Sequence, residues 1–340
     1  MKTRAAYLRA PWETEIREVA IDDVPREGWV RLRVDACGVC GTDVTAAAET
    51  ATAWAPFGHE LAGTVDAAGP NVTHVGTGDR VVVQSSGYCG VCELCRDGRV
   101  NLCNKAPHFW GEPAMGFSEY MMTPAVLAVP YEGLSPEVAS LAEPAGVAFD
   151  MVKTAGIQMG DRVCVVGPGP IGLAGAALAV HRGAARVVCV GHSHSKARLT
   201  LAAKLGAEPM AVDAPLDDVA ELREAFDHVL MTAPTQCIAP GVALLAYGGE
   251  MTYIGIGTGD SMVTFDANDF HFRKLQLRAS FASPAIYFPA VLRLLQAGVI
   301  PGEELISHRF GLDEIGEAMA TLRDNKGSAL KVVVTPNRRA

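Results

Sequence analysis

The chain has 340 residues, of which 49% are hydrophobic and 20% charged, enough apolar material to fill two globular cores. Its formal net charge of −9 has the wrong sign for a nucleic-acid or anionic-membrane partner. The longest apolar stretch, Val163 to Val180, is interrupted by glycines and prolines and does not read as a membrane span. The opening residues M-K-T-R-A-A-Y-L-R-A lack the apolar core of a signal peptide, so a cytoplasmic protein is expected. In that compartment nine cysteines read as metal ligands, nucleophiles or buried fillers, not as disulfides.

Up to about residue 80, strand-like runs alternate with glycine and proline breaks. Trp29–Val34 carries apolar residues at alternate positions, and Arg80–Val83 follows the turn signal G-T-G-D. Residues 84 to 120 are rich in turn formers and cysteine, which predicts an irregular lobe. A helix is expected from Pro136 with Ser135 as its N-cap. From about 146 to 275 the pattern alternates helix and strand. Strands are predicted at Val187–Val190, Phe226–Met231 and Met251–Ile256, and helices near 196–205, 216–225 and 238–246. That succession predicts a doubly wound parallel sheet. The tail predicts helices over Ala285–Ala297 and Leu312–Asp324 and a last strand at Ala329–Val334 that returns to the N-terminal unit.

Within the second region, V-C-V-V-G-P-G-P-I-G (163–172) runs from a β-branched strand into a glycine turn and an apolar helix. Gly167 permits the turn, Gly169 lets the backbone approach a pyrophosphate, and Gly172 lets helix pack on strand. Pro170 and Ile171 open the helix, whose free N–H groups and dipole favour phosphate. The stretch predicts a dinucleotide site.

Four more cysteines, Cys89, Cys92, Cys95 and Cys103, fall in a C-x2-C-x2-C-x7-C pattern. Two-residue gaps let successive thiolates converge on one zinc ion, and four sulfurs leave no position open. The predicted role is structural: zinc holding together a lobe that has no core of its own. Cys164, Cys189 and Cys237 lie in apolar segments and read as small buried hydrophobes.

Together with Cys40-Gly-Thr42-Asp43, Gly58-His59-Glu60, the G-F-S-E-Y at 116–120 and the L-A-E-P at 141–144, these motifs make the whole chain resemble the zinc-dependent medium-chain alcohol and polyol dehydrogenases, most closely their polyol (sorbitol-type) branch. The resemblance implies an α/β protein in which 1–145 and 280–340 form a β-rich, GroES-like catalytic domain and 146–279 a Rossmann NAD(P)-binding domain. It implies two zinc ions per chain. Cys40 and His59 ligate the catalytic one, with Glu60 and Glu143 as the branch's carboxylates, one of them binding through water or exchanging with it. Cys37 is a neighbour of that ligand set and not a member. Zinc then polarises a substrate hydroxyl while hydride passes to the nicotinamide, Thr42 takes the alcohol proton, and Asp43 orients His59. The family's relay histidine, five residues beyond the ligand cysteine, is replaced here by Thr45, so the proton must leave by water or the ribose hydroxyls. The resemblance also implies a homodimer or homotetramer.

The second strand of the nucleotide region runs into Gly191-His-Ser-His-Ser-Lys196-Ala-Arg198 without the acid that NAD-specific sites use on the ribose. Ser193, Lys196 and Arg198 could hold a 2′-phosphate, which makes NADP the expected cofactor, with dual use open. The expected substrate is a secondary alcohol or ketone of a polyol, sugar or (amino)cyclitol. Trp54, Phe57, Phe109 and Trp110 are candidates for the pocket lining, with core packing the alternative. A threonine-type or simple alcohol dehydrogenase, or a non-catalytic zinc-binding relative, are the rival readings.

Overall fold

The computed structural model describes residues 1–255, 261–325 and 327–337. In chain order, β1 (Lys2–Arg9), β2 (Glu13–Ala20), β3 (Trp29–Gly38), β4 (Ala55–Pro56), β5 (Glu60–Ala68), β6 (Arg80–Val83), β7 (Tyr120–Pro124) and β8 (Ala128–Pro130) come first. Then come β9 (Arg162–Val166), β10 (Arg186–Gly191), β11 (Glu208–Ala211), β12 (Phe226–Met231), β13 (Leu245–Tyr253) and β14 (Gln276–Ala279). The chain ends with β15 (Ile306–Gly311) and β16 (Lys331–Thr335).

These strands form two systems. The six strands β9 to β14 make one parallel sheet in the order β11-β10-β9-β12-β13-β14. The strand order reverses beside β9, which places a crevice at the carboxyl end of that strand, where open α/β sheets bind ligands. The other strands build a seven-stranded sheet in the order β15-β16-β3-β5-β6-β8, with β7 also on β3, and a three-stranded sheet β2-β1-β4. As expected, the tail comes home: β16 pairs antiparallel with β3 at Val333–Gly38 and Val334–Cys37.

The helix Ala142–Ala155 packs against both systems. Its buried face is Ala142, Ala145, Ala148, Met151, Val152 and Ala155, so small side chains let it lie close to its neighbours. Full burial of Met151 alone contributes about 2 kcal/mol. Ser135 caps the preceding helix, its Oγ accepting from Val138 N–H at 3.2 Å. Three expectations need correction. The helix expected near 238–246 covers only Ile238–Gly241 and passes into a 3-10 turn at Val242–Leu244, while Leu245 and Ala246 already belong to β13. Residues 216–225 form no helix but two 3-10 turns, Leu216–Asp218 and Ala220–Leu222, split by an extended Val219. Leu216 and Leu222 are both core residues, and their spacing of six fits two turns pressed on a sheet better than one helical stripe. The helix expected from Ala285 begins at Phe288, because Ala285 is tied by its N–H to Ser86 O and by its carbonyl to Gln84 Nε2. Strand β13 ends at Tyr253, and Ile256 lies outside the described residues.

Candidate active site

Two neighbouring strands deliver the polar cluster. β3 ends at Gly38, and Cys40 N-caps the short helix Gly41–Thr45, with Asp43 Oδ2 accepting the Cys40 N–H at 2.9 Å. β5 begins at Glu60, directly opposite Gly38. The segment before it is held by the G-F-S-E-Y stretch, whose Gly116 and Phe117 N–H groups donate to Gly58 and Phe57 carbonyls at 2.9 and 3.2 Å. As a result, one ligand atom each from Cys40, His59 and Glu60 lie within 4.8 Å of one another. His59 and Glu60 are buried at 8% and 1% exposure. Glu143 enters from the first turn of Ala142–Ala155. It stands outside that triplet, its Oε1 accepting from Ser85 Oγ at 3.4 Å. Asp43 Oδ1 is 3.8 Å from His59 Nδ1. Thr42 is exposed on the turn after Cys40.

Sequence reading did not single out Lys331. Its Nζ donates to both Glu60 oxygens, at 2.8 and 2.6 Å, and to Val39 O at 3.0 Å. Burial opposes its charge, but Glu60 and Cys40 outweigh that and hold its pKa above the ordinary lysine value. Burial pushes the Glu143 carboxyl up to about 7, against His59, with Glu60 adding to the rise. Burial also raises Asp43, opposed by His59 and the Cys40 N–H. A thiol and three carboxyl groups thus meet one ammonium and one imidazole, with Asp43, His59, Glu60 and Lys331 buried and Cys40 and Glu143 partly so. Acidic donors without enough counter-charge are costly to bury, and a thiolate, imidazole and carboxylate set suits zinc. The donor set fits that ion.

The cysteine lobe passes the same test. Cys89 and Cys95 sulfurs lie 4.0 Å apart, as do those of Cys92 and Cys103. Four sulfurs at about 2.3 Å from zinc in a tetrahedron would sit about 3.8 Å from each other. The Cys89 N–H points at Cys103 Sγ and the Cys92 N–H at Cys89 Sγ, at 3.3 and 3.4 Å. Backbone N–H groups of Val91 and Cys92 lower the Cys89 thiol to about 6.

At the nucleotide seat, Gly169 N-caps the helix Pro170–His181, with Ile171 in its first turn. A Cβ on Gly172 would stand 2.0 Å from Gly167 O, so no side chain fits there. Ser193 and Lys196 are exposed beyond the end of β10. Arg198 is occupied elsewhere, its Nε and one terminal nitrogen donating to Ala329 O at 3.0 and 2.7 Å. The structure also brings in an acid that no local motif announced: Asp213, just past β11, accepts the Ser193 N–H at 3.0 Å and faces His192 Nδ1 at 3.4 Å.

The "Alcohol dehydrogenase GroES-like domain" matches residues 26–133 and the "Zinc-binding dehydrogenase" domain residues 170–297. An L-arabinitol 4-dehydrogenase of Aureobasidium melanogenum is 30% identical over 95% of this chain and 91% of its own length. The chain belongs to the zinc-dependent medium-chain dehydrogenases. It is an oxidoreductase of that family, a GroES-like domain joined to a Rossmann-type sheet. A dehydrogenase of Escherichia coli CFT073 solved with NADH superposes with TM-score 0.86 at 26% identity, covering 98% of this chain and 99% of that one. A protein of Sinorhizobium meliloti 1021 described as a zinc-binding dehydrogenase and bound to NADP gives 0.85 at 26% identity, covering 99% and 100%.

For a medium-chain dehydrogenase, the aromatic candidates then sort by position. Phe57 and Phe109 are core residues. Trp54 lies under the Arg9 and Arg17 guanidinium groups, 4.8 and 5.0 Å from its ring centroid. Only Trp110 of the four reaches the metal-binding cluster, its ring centroid 5.4 Å from that of His59 and its Nε1–H donating to Ser85 O at 3.1 Å.

Proposed function

We propose that this dehydrogenase transfers hydride between a secondary alcohol or ketone of a polyol, sugar or (amino)cyclitol and NAD(P). The observation that carries the reading is the convergence of Cys40, His59 and Glu60, with Glu143 beside them, in place of an all-sulfur and imidazole set. Cys40 and His59 hold the catalytic zinc, with Glu60 and Glu143 as its carboxylates. Zinc there supplies the Lewis acidity that makes the substrate hydroxyl acidic. The Thr42 hydroxyl receives that proton at Oγ1, and Asp43 orients the His59 ring. Trp110, half exposed beside His59, lines the approach to the cluster. The 30% identical relative, an L-arabinitol 4-dehydrogenase, supports a polyhydroxylated substrate.

Cys89, Cys92, Cys95 and Cys103 hold a second, structural zinc. Gly167, Gly169, Pro170, Ile171 and Gly172 seat the pyrophosphate at a helix N-terminus. For the cofactor we favour NADP through Ser193 and Lys196, on the absence of an acid at the end of β10. Asp213 opposes this, and the engagement of Arg198 with Ala329 leaves it a supporting role. We divide the chain into a catalytic domain, 1–145 with 280–340, and a nucleotide domain, 146–279. Among the described residues no helix is long and apolar enough to cross a membrane. A cytoplasmic homodimer or homotetramer is the proposed form.

A panel of polyols, amino alcohols and simple alcohols, followed by reduced-cofactor absorbance with NAD and with NADP, tests the reading. Turnover confined to simple alcohols or threonine would replace the polyol assignment. A strong NAD preference unchanged by Lys196→Ala would remove the NADP assignment.

A further inference from the structure

We propose that Lys331 is a positioning residue that competes with the catalytic metal for Glu60 and so keeps this carboxylate an exchangeable ligand; the proposal rests on the zinc reading above. The ammonium is 5% exposed and Glu60 is 1% exposed, so solvent does not screen the pair. Three acceptors, Val39 O and both Glu60 oxygens, fix the position of Nζ. Val39 precedes Cys40 and Glu60 follows His59, so the cation sits between the two segments that carry the ligands. Meanwhile a Glu60 oxygen is within 4.8 Å of the Cys40 and His59 ligand atoms. The same carboxylate therefore faces two cations.

The charge count explains why two are needed. A thiolate and one carboxylate offset the two charges of zinc, and Glu60 with Glu143 would exceed this by one. Lys331 neutralises the surplus without removing Glu60 from reach. The backbone is built for the arrangement. At Gly38, across the β3–β5 ladder, a Cβ would stand 2.3 Å from Glu60 Oε2 and 3.3 Å from Lys331 Cδ. Without the ammonium, the buried Glu60 charge has the metal as its remaining cationic partner and binds it more persistently.

The test uses the full chain with cobalt in the catalytic site. It records the visible cobalt bands and the rate of metal release to a chelator. Lys331→Met should shift the bands toward a higher coordination number and slow release about tenfold, the scale at which groups behind metal ligands act. Lys331→Arg, which retains the charge, should keep the parental bands. The double variant Lys331→Met/Glu60→Gln buries no unpaired charge and has no carboxylate at 60 for the metal to keep, so it should lose the shifted bands and slowed release of Lys331→Met. Parental bands and release in Lys331→Met overturn the proposal. So do shifted bands or slowed release in the double variant, because the effect must run through the Glu60 carboxylate; Lys331→Gln, which removes the charge and keeps a donor, carries the same test if Lys331→Met does not fold. A parent chain that takes up no cobalt beside the cysteine lobe would instead remove the zinc reading on which the proposal rests.

Discussion

The two metal centres proposed for this chain are built on opposite principles. The cysteine lobe takes all its donors from one stretch, Cys89 to Cys103, in which the regular structure is one turn of helix at Glu93–Arg96 and a 3-10 turn at Val100–Leu102. The catalytic cluster gathers Cys40, His59, Glu60, Glu143 and Lys331 from the ends of β3, β5 and β16 and from a helix. In the first, metal substitutes for a core. In the second, the core positions the metal. A ligand lost from the lobe should therefore cost structure, and a ligand lost from the cluster should cost chemistry.

The sharpest way to break that contrast is Cys40→Ser. It should lower kcat/KM by at least about a thousandfold, the scale of several kcal/mol of Lewis-acid stabilisation, while the thermal midpoint stays near the parent's. Turnover within tenfold of the parent would refute the ligand role. Cys95→Ala should do the reverse. It should release the lobe's metal, destabilise the chain by about 4 kcal/mol or more, and open residues 89–103 to protease before the rest unfolds. Proteolysis that begins elsewhere would show that the lobe does not depend on its sulfurs. A smaller effect belongs to Gly38→Ala, which forces a methyl against Glu60. A loss of about 1–3 kcal/mol with weaker metal retention is expected, and denaturant melts together with metal analysis would read both.

The smallest effect lies far from either centre. Arg162 bonds both oxygens of Asp227 at 3.0 and 2.7 Å and lowers the carboxyl below its ordinary value. Since the folded pKa lies below the unfolded one, the pair's contribution is complete above about pH 4 and drains as pH falls through the folded value. Asp227→Asn should flatten the acid limb of the stability profile, lowering stability near neutrality by the pair's small contribution and leaving it unchanged at the acid end, where Asp227 is protonated. An unaltered acid limb would show that the surface pair contributes nothing.

How much of this the sequence disclosed follows the same contrast. Local patterns were legible because their physics is local. Phe226–Met231 and Arg80–Val83 are strands with the predicted bounds, and Ser135 caps its helix as composition implies. The cysteine spacing delivered four sulfurs to one point. Groups placed by long-range pairing and outside the family motifs were not legible. Lys331 sits in an ordinary β-branched strand, and only its pairing with β3 brings it to Glu60, a separation of 271 residues. Asp213 reaches Ser193 because β10 and β11 run in parallel, which no motif encodes. Arg198 was legible as a cation, but its partner is a main-chain carbonyl, which leaves no mark in a sequence. The missing helix at 216–225 shows the same limit, since packing on the sheet overrode local propensity.

Zinc content followed through chelation tests the central claim most directly. The two donor groups predict two zinc ions per chain as purified. Mild chelation should remove one of them together with turnover, leaving the thermal midpoint and the cysteine lobe intact, and added zinc should restore activity. Full turnover in protein stripped of the metal at Cys40 and His59 would contradict the account.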